Sequence, residues 1–177
     1  MLLTEHEGKR LLAAAGIAVP GGFVVRSAGA LARRNVAYPV AVKTQVAAGG
    51  RGKAGGVVRA RSRREAQNAV SRLLRTSFNG ETPRAVLIEP WLEIQRELYL
   101  SVTVDPAAEG YVVLYSPRGG VEIEAGKPPA RYDVGPAREF RAYRLREILA
   151  TVETDAAVRE RVIALARRLV TLAATRD

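Results

Sequence analysis

The chain is predicted to fold as an α+β protein, with antiparallel strand pairs flanked by helices. Three observations carry that expectation. Residues 63–75 and 155–175 repeat apolar side chains at the three-to-four spacing of a core-facing helix. The runs "QRELYLSVTVD" (95–105) and "GYVVLYSP" (110–117) are two long β-rich segments separated by Pro106 to Glu109, which reads as a hairpin. The stretch "VKTQVAAGGRGKAGGVV" (42–58) joins one extended segment to another, not a strand to a helix.

The elements follow in order. Thr4 with Glu7 three residues later forms a capping-box pattern for a helix over 4–15, with Leu11, Leu12 and Ala15 apolar and Gly16 ending it. His6, the one histidine, is expected on that helix facing solvent. "IAVPGGFVV" (17–25) is a short strand interrupted at Pro20 and Gly21-Gly22, and Ser27 caps a helix over 28–35. "YPVAVKTQV" (38–46) is a buried strand, and "GVVRARS" (56–62) returns antiparallel with period-two alternation. Ser62 caps the helix over 63–75, in which Ala66, Ala69, Val70, Leu73 and Leu74 make the apolar stripe. "RAVLIEPWLEI" (84–94) is a strand breaking into a connector at Pro90. After the hairpin, 118–126 is a second glycine loop and the remainder to about 142 reads as irregular. Helices close the chain at 143–151 and 155–175, the latter burying Val158, Val162, Leu165, Ala166, Leu169 and Leu172.

Composition narrows the function classes. The 177 residues suffice for one domain or two small lobes with a sizeable core. No apolar run reaches the ~18 residues of a membrane span, and Glu5 and Glu7 stand where a secretory signal would be basic. Absence of cysteine removes disulfide and thiolate chemistry, and a cytoplasmic setting is expected. The net charge of +10 admits a polyanion partner. However, the 24 arginines run along the whole chain, and only six tyrosines, three phenylalanines and one tryptophan could stack on bases. A solvated basic surface is the better reading, and nucleic acid is not expected as the main ligand.

The glycine-rich stretch holds five glycines, two lysines and one arginine, a composition suited to phosphate. It is not a Walker A loop, because Gly52-Lys53 is followed by Ala54 and not by Ser or Thr. Gly50 to Gly55 spells G-x-G-x-x-G, yet the extended Val57-Val58-Arg59-Ala60-Arg61 follows where a dinucleotide fold starts a helix. Lys43 ends a buried strand just before the loop, Gly49-Gly50-Arg51-Gly52-Lys53 forms its tip, and Glu89 and Glu97 bracket the connector. Such a set matches a nucleoside triphosphate: cations for phosphates, a covering loop, connector backbone for a base edge and a carboxylate for ribose hydroxyls. Each feature also has a plain structural reading, respectively a snorkelling lysine, a turn and solvated strand-edge acids. No paired-carboxylate, Ser-His-Asp or metal-ligand cluster stands out.

"KTQVAAGGRGKAGGV", "LIEPWLEIQRELYLSVTVD" and "SPRGGVEIE", in this order, resemble the ATP-grasp region of succinyl-CoA synthetase (ADP-forming) β subunits, and "LTEHEGKRLLAAAGIAVPGG" is similar to that family's N-terminal helix and strand. Malate–CoA ligase β subunits and the matching part of ATP-citrate lyase share these motifs. The resemblance implies an ATP-grasp fold, with a lid subdomain at 20–97 and an incomplete second subdomain, 1–19 and 98–177 being part of the larger lobe. It implies that ATP is bound by Lys43 at the α/β-phosphates and by Gly50, Arg51 and Gly52 as the closing loop. Glu89 and the backbone near Leu92 would hold adenine, and Glu97 the ribose. It further implies Mg²⁺ with ligands downstream of this chain, and an α subunit carrying a phosphohistidine as partner. Together these couple ATP hydrolysis to thioester formation from a carboxylate and CoA, in the tricarboxylic acid cycle for the named family. No catalytic residue and no metal ligand is expected within this chain. Two departures stand out: Ala47 replaces a histidine of relatives, and Arg118 replaces an acid before Gly119-Gly120. The alternative is a non-catalytic ATP-grasp-like module that binds a partner protein or polyanion.

Overall fold

Four strands, the two central ones buried along nearly their whole length, build the core of residues Met1–Glu93, the first of two units into which contacts divide the chain; the second is Ile94–Asp177. The computed structural model describes residues 2–47, 52, 54–120 and 128–176.

In the first unit, strands β1 (Phe23–Val25), β2 (Val40–Thr44), β3 (Val57–Ala60) and β4 (Val86–Pro90) form an antiparallel sheet in the order β1-β4-β2-β3. Val42 lies opposite Ile88 and Val58, which sets the register of β2 against both its neighbours. Val40, Val42, Val86 and Ile88 point to one face and are buried there against Leu31 of helix α2 (Ala28–Ala32) and Ala66, Ala69, Val70 and Leu73 of helix α3 (Arg63–Leu73). Ser27 and Ser62 cap these helices by accepting N–H bonds from Ala30 and Glu65. Because side chains alternate along a strand, Ala41, Lys43, Leu87 and Glu89 share the opposite face.

Helix α1 (Glu5–Ala14) belongs to that opposite face. Its capping box is present: Glu7 N–H donates to the Thr4 hydroxyl and Thr4 N–H to the Glu7 carboxylate. None of its residues is fully buried, so the expected apolar stripe is not what docks it. Polar contacts do. His6, expected toward solvent, is half-buried, and its N–H donates to Gln45 Oε1 at 2.9 Å.

The second unit stacks two helices on a three-stranded antiparallel sheet, β5 (Tyr99–Asp105), β6 (Gly110–Ser116) and β7 (Ala130–Gly135), in that order. The β5–β6 hairpin turns where expected, with Asp105 opposite Gly110, although its first strand begins at Tyr99 and not at 95. Strand β7 corrects the sequence reading, which left 127–142 irregular. Tyr132 and Val134 alternate with exposed Arg131 and Asp133, a short period-two signal that follows directly on Pro128-Pro129. Helices α4 (Ala142–Ala150) and α5 (Ala156–Ala174) contribute Leu145, Leu149, Val162, Ile163, Ala166 and Val170 to a core shared with Val113, Tyr115, Tyr132 and Val134. Leu165, expected in this core, is 37% exposed. Apolar residues cover more than one flank of α5, and the sheet selects the flank of Val162, Ala166 and Val170. Among the described residues, no helix is long and apolar enough to cross a membrane.

Ile88 is 1% exposed at the centre of the first core. Truncating it to alanine is expected to cost about 2–5 kcal/mol, read as a lowered urea midpoint with unchanged m-value.

Candidate functional site

Lys43 and Glu89 meet on the face of the first sheet that carries α1. Glu89 sits in the central strand β4 with only 4% of its surface exposed, so its charge needs compensation on the spot. Two ammonium groups supply it. Lys9 Nζ of α1 lies 2.5 Å from Glu89 Oε2, and Lys43 Nζ of β2 contacts Glu89 Oε1. Glu5 completes a cluster of alternating charge, 2.7 Å from Lys9 and 3.1 Å from Lys43. The spacing of Glu5 and Lys9, one helical turn, places both on the same side of α1. Burial alone would lower the Lys43 pKa, but the carboxylates of Glu89 and Glu5 outweigh it and hold the ammonium above its ordinary value. The result is a half-buried, firmly charged lysine at the end of a strand, where the glycine-rich stretch begins.

The other predicted residues distribute as follows. Gly52 is exposed in a turn, its carbonyl accepting the Gly55 N–H at 3.2 Å. Gly50 and Arg51 lie outside the described residues, as do Gly49 and Lys53. Leu92, in the connector after β4, is 54% exposed. Beside it, Trp91 is anchored through its N–H to the Pro39 carbonyl at 3.1 Å, with the Arg59 guanidinium 5.0 Å above its ring. The Trp91 indole N–H is buried and lacks a hydrogen-bond partner among the described residues. Ala47 N–H donates to Glu81 Oε2 at 3.3 Å.

Glu97 belongs to the second unit, where it lines an open cleft of about 500 Å³ with Ile94, Gln95, Arg96, Pro117, Arg118 and Gly119. The two glycines of the second loop explain the tight approach there. Gly119 N–H donates to the Glu97 carbonyl at 2.9 Å, and a Cβ on Gly119 would stand 2.6 Å from the Leu98 carbonyl carbon and oxygen. Gly120, at φ +84°, has the Glu97 carboxylate where its own Cβ would project. Arg118 is exposed at the rim, its backbone held on both sides by the Ser116 hydroxyl.

Under the cleft lies a group that the sequence reading missed. Glu153, in the turn between α4 and α5, is 1% exposed, and its carboxylate accepts from three residues. Arg96 grips it with two nitrogens, at 3.2 and 2.5 Å. The Tyr115 hydroxyl donates at 2.5 Å and the Asp155 N–H at 3.1 Å. These bonds, led by that from Arg96, overcome the cost of burial and lower the Glu153 pKa to about 2. Burial, followed by the hydrogen bond to Glu153, raises the Tyr115 phenol well above its ordinary value. Lys9, Glu5 and Glu153 carry no motif. Only the one-turn pairing of Glu5 with Lys9 was visible in the sequence, and nothing local marks Glu153. Among the described residues, no group of three or more His, Asp or Glu could hold a metal ion.

The model of the ATP-grasp domain family matches residues 2–177. The chain is 43% identical over 157 residues to the β subunit of ADP-forming succinate–CoA ligase from Rubrobacter xylanophilus, covering 84% of this chain and 40% of that protein. It is 35% identical over 192 aligned residues to the corresponding subunit of Desulforapulum autotrophicum, covering 100% of this chain and 50% of that one. The chain therefore spans two fifths to one half of these relatives. Among solved structures, it superposes on a dinucleotide-forming acetyl-coenzyme A synthetase of Ca. Korarchaeum cryptofilum, in complex with coenzyme A and Ca-AMPCP, with TM-score 0.77 and 21% identity over 98% of this chain and 80% of that one. A Pyrococcus horikoshii crystal structure gives TM-score 0.74 at 18% identity, covering 99% and 77%. Both likenesses are of fold.

Two measurements check the electrostatics. Removing Lys43 as alanine leaves Lys9 on Glu89 and is expected to cost about 1–2 kcal/mol. Removing Lys9 and Lys43 together strands a buried carboxylate and is expected to cost about 3–5 kcal/mol, more than the single changes summed. For Glu153 the folded pKa lies below the ordinary carboxylate value, so its stabilisation is complete above that value and is lost as pH falls toward about 2. Arg96, Tyr115, Arg159 and the Asp155 backbone are the groups around it. The difference in melting temperature between wild type and Glu153→Gln is thus expected to shrink steadily between about pH 5 and pH 2.

Proposed function

The chain belongs to the ATP-grasp family, and from that premise we propose that it binds ATP. Lys43 is the contact to the α/β-phosphates, and Gly50, Arg51 and Gly52 form the loop over the triphosphate. The backbone near Leu92 takes the adenine, with Glu89 on the strand leading into it supporting the site through Lys43 and Lys9, and Glu97 takes the ribose hydroxyls. In the same reading 20–97 is the lid subdomain, and 1–19 with 98–177 are part of the larger lobe.

The observation that supports this most directly is the Glu5–Lys9–Lys43–Glu89 cluster. A phosphate ligand needs a cation that is already charged, already placed and not bound irreplaceably. Lys43 meets all three conditions, because its weaker contact at 3.1 Å to Glu5 can be exchanged for a phosphate oxygen. Glu89 stays compensated during that exchange, since Lys9 remains on its other oxygen. The donor set thus fits a polyphosphate: it gains an anion without leaving a bare carboxylate in the core. The connector at Leu92 is exposed, which leaves room for a base edge beside its backbone, as an adenine contact requires.

The wider activity extends the same reading. The chain would serve as the nucleotide-binding part of a β subunit in a cytoplasmic, ADP-forming acid–CoA ligase of the succinate–CoA ligase type, working with an α subunit that carries a phosphohistidine. Mg²⁺ would neutralise triphosphate charge when bound, held by carboxylates outside this chain.

Titration calorimetry with ATP tests the proposal. Lys43→Ala is expected to weaken ATP binding by about tenfold or more, the loss of one charge-assisted contact. Equal heats and affinities for wild type and variant would reject the site.

A further inference from the structure

We propose that Glu153 is a positioning residue for ribose recognition, acting on Glu97 through Arg96. The inference rests on the assignment of Glu97 to the ribose, and it adds a residue that no motif and no direct ligand contact points to.

Arg96 and Glu97 are neighbours in the extended connector that precedes β5, where few contacts hold the chain. Residues 92 to 98 are all exposed, so this segment has no apolar anchor of its own. The fixed point is the Arg96 side chain. Its guanidinium reaches down to Glu153 with two bonds and also donates to the Pro117 carbonyl at 3.4 Å. One side chain therefore ties three segments together: the connector, the end of β6 and the turn between α4 and α5. Glu153 is in turn held by Tyr115 of β6, the Asp155 N–H and, through its own carbonyl, the Arg159 guanidinium at 2.7 Å.

From this anchor the position of Glu97 follows. The Glu97 carbonyl receives the Gly119 N–H, and its carboxylate rests against Gly120. Pro117 to Gly120 and Arg96 to Leu98 hence form one packed pair of strands of chain, and the guanidinium pins both at the same end. A carboxylate that must accept hydrogen bonds from vicinal hydroxyls tolerates only small displacements. A bidentate pair between a partly exposed guanidinium and a fully buried carboxylate is a suitable device for that constraint, since its geometry is fixed in plane and distance. Replacing Glu153 by glutamine keeps the shape but removes the charge and turns an amide N–H₂ toward Arg96 or Tyr115, both of which are donors. The fork then loses at least one bond and Arg96 is freed to swing.

The test uses the full 177-residue chain and reads discrimination, which a general loss of stability does not alter. Affinities for ATP, 2′-deoxy-ATP and 3′-deoxy-ATP are measured by calorimetry for wild type, Glu97→Gln, Glu153→Gln, Arg96→Lys and Lys43→Ala, each confirmed folded by circular dichroism. Wild type is expected to prefer ATP over a deoxy analogue by about tenfold. Glu97→Gln and Glu153→Gln should both bring that ratio close to one, Arg96→Lys should fall between, and Lys43→Ala should weaken all three nucleotides alike with the ratio retained. In parallel, amide exchange of Gly119 without nucleotide is expected to speed up about tenfold in Glu153→Gln. If Glu153→Gln does not fold, Arg96→Lys and Tyr115→Phe carry the same two readouts. A wild-type ratio in Glu153→Gln beside a collapsed ratio in Glu97→Gln overturns the proposal, as does unchanged Gly119 exchange. No discrimination in wild type, or none lost in Glu97→Gln, overturns the ribose assignment itself and with it the role given to Glu153.

Discussion

A carboxylate in the middle of a sheet must be neutralised where it stands, and the arrangement of the first unit follows from that requirement. Glu89 cannot reach water from β4. Its compensation comes from Lys43 on the neighbouring strand and from Lys9 on a helix that buries no side chain fully. The ion cluster therefore does for α1 what an apolar stripe does for α3: it decides where the helix lies. The same contacts leave Lys43 charged and held at the start of the glycine-rich stretch, so docking of the helix and placement of that charge are one event. Purely apolar docking would be cheaper in desolvation, and retention of charges here is consistent with a site, not with stability alone.

The second unit uses the same logic in a different place. Glu153 and Arg96 bridge elements that are 57 residues apart in the chain, and their pairing fixes a segment without apolar support of its own. Around it, Gly119 and Gly120 let two stretches of backbone come closer than any side chain would allow. Each unit thus places one candidate ligand carboxylate or lysine by means of a buried carboxylate paired with cations from distant sequence.

Much of the fold was legible because it rests on local signals. The caps at Thr4, Ser27 and Ser62, the stripe of α3, the hairpin around Asp105 to Gly110 and the break at Pro90 are each written within a few residues. Strand β7 escaped because its six residues carry only two apolar inward positions, Tyr132 and Val134, right after a proline pair. The flank of α5 was misassigned at Leu165 because propensity and spacing do not say which side of a broadly apolar helix meets the sheet. For the site, strand-end Lys43 and the acids at 89 and 97 could be nominated from spacing and resemblance. The pairing of Lys43 with Glu89, and the parts played by Glu5, Lys9, Arg96 and Glu153, are tertiary facts. No periodicity encodes a bond between residue 9 and residue 89.

That separation in sequence bears on how the first unit assembles. The caps and the α2–α3 core draw on neighbours and can form early, whereas the four-charge knot closes only after an N-terminal helix, a second strand and a fourth strand have all met. Its sequence separation leads one to expect late closure, and interactions that close late hasten unfolding when lost and scarcely slow refolding. On that footing Lys43 would also be a brake on the native state's decay, and an anion arriving there would act on the lifetime of the fold.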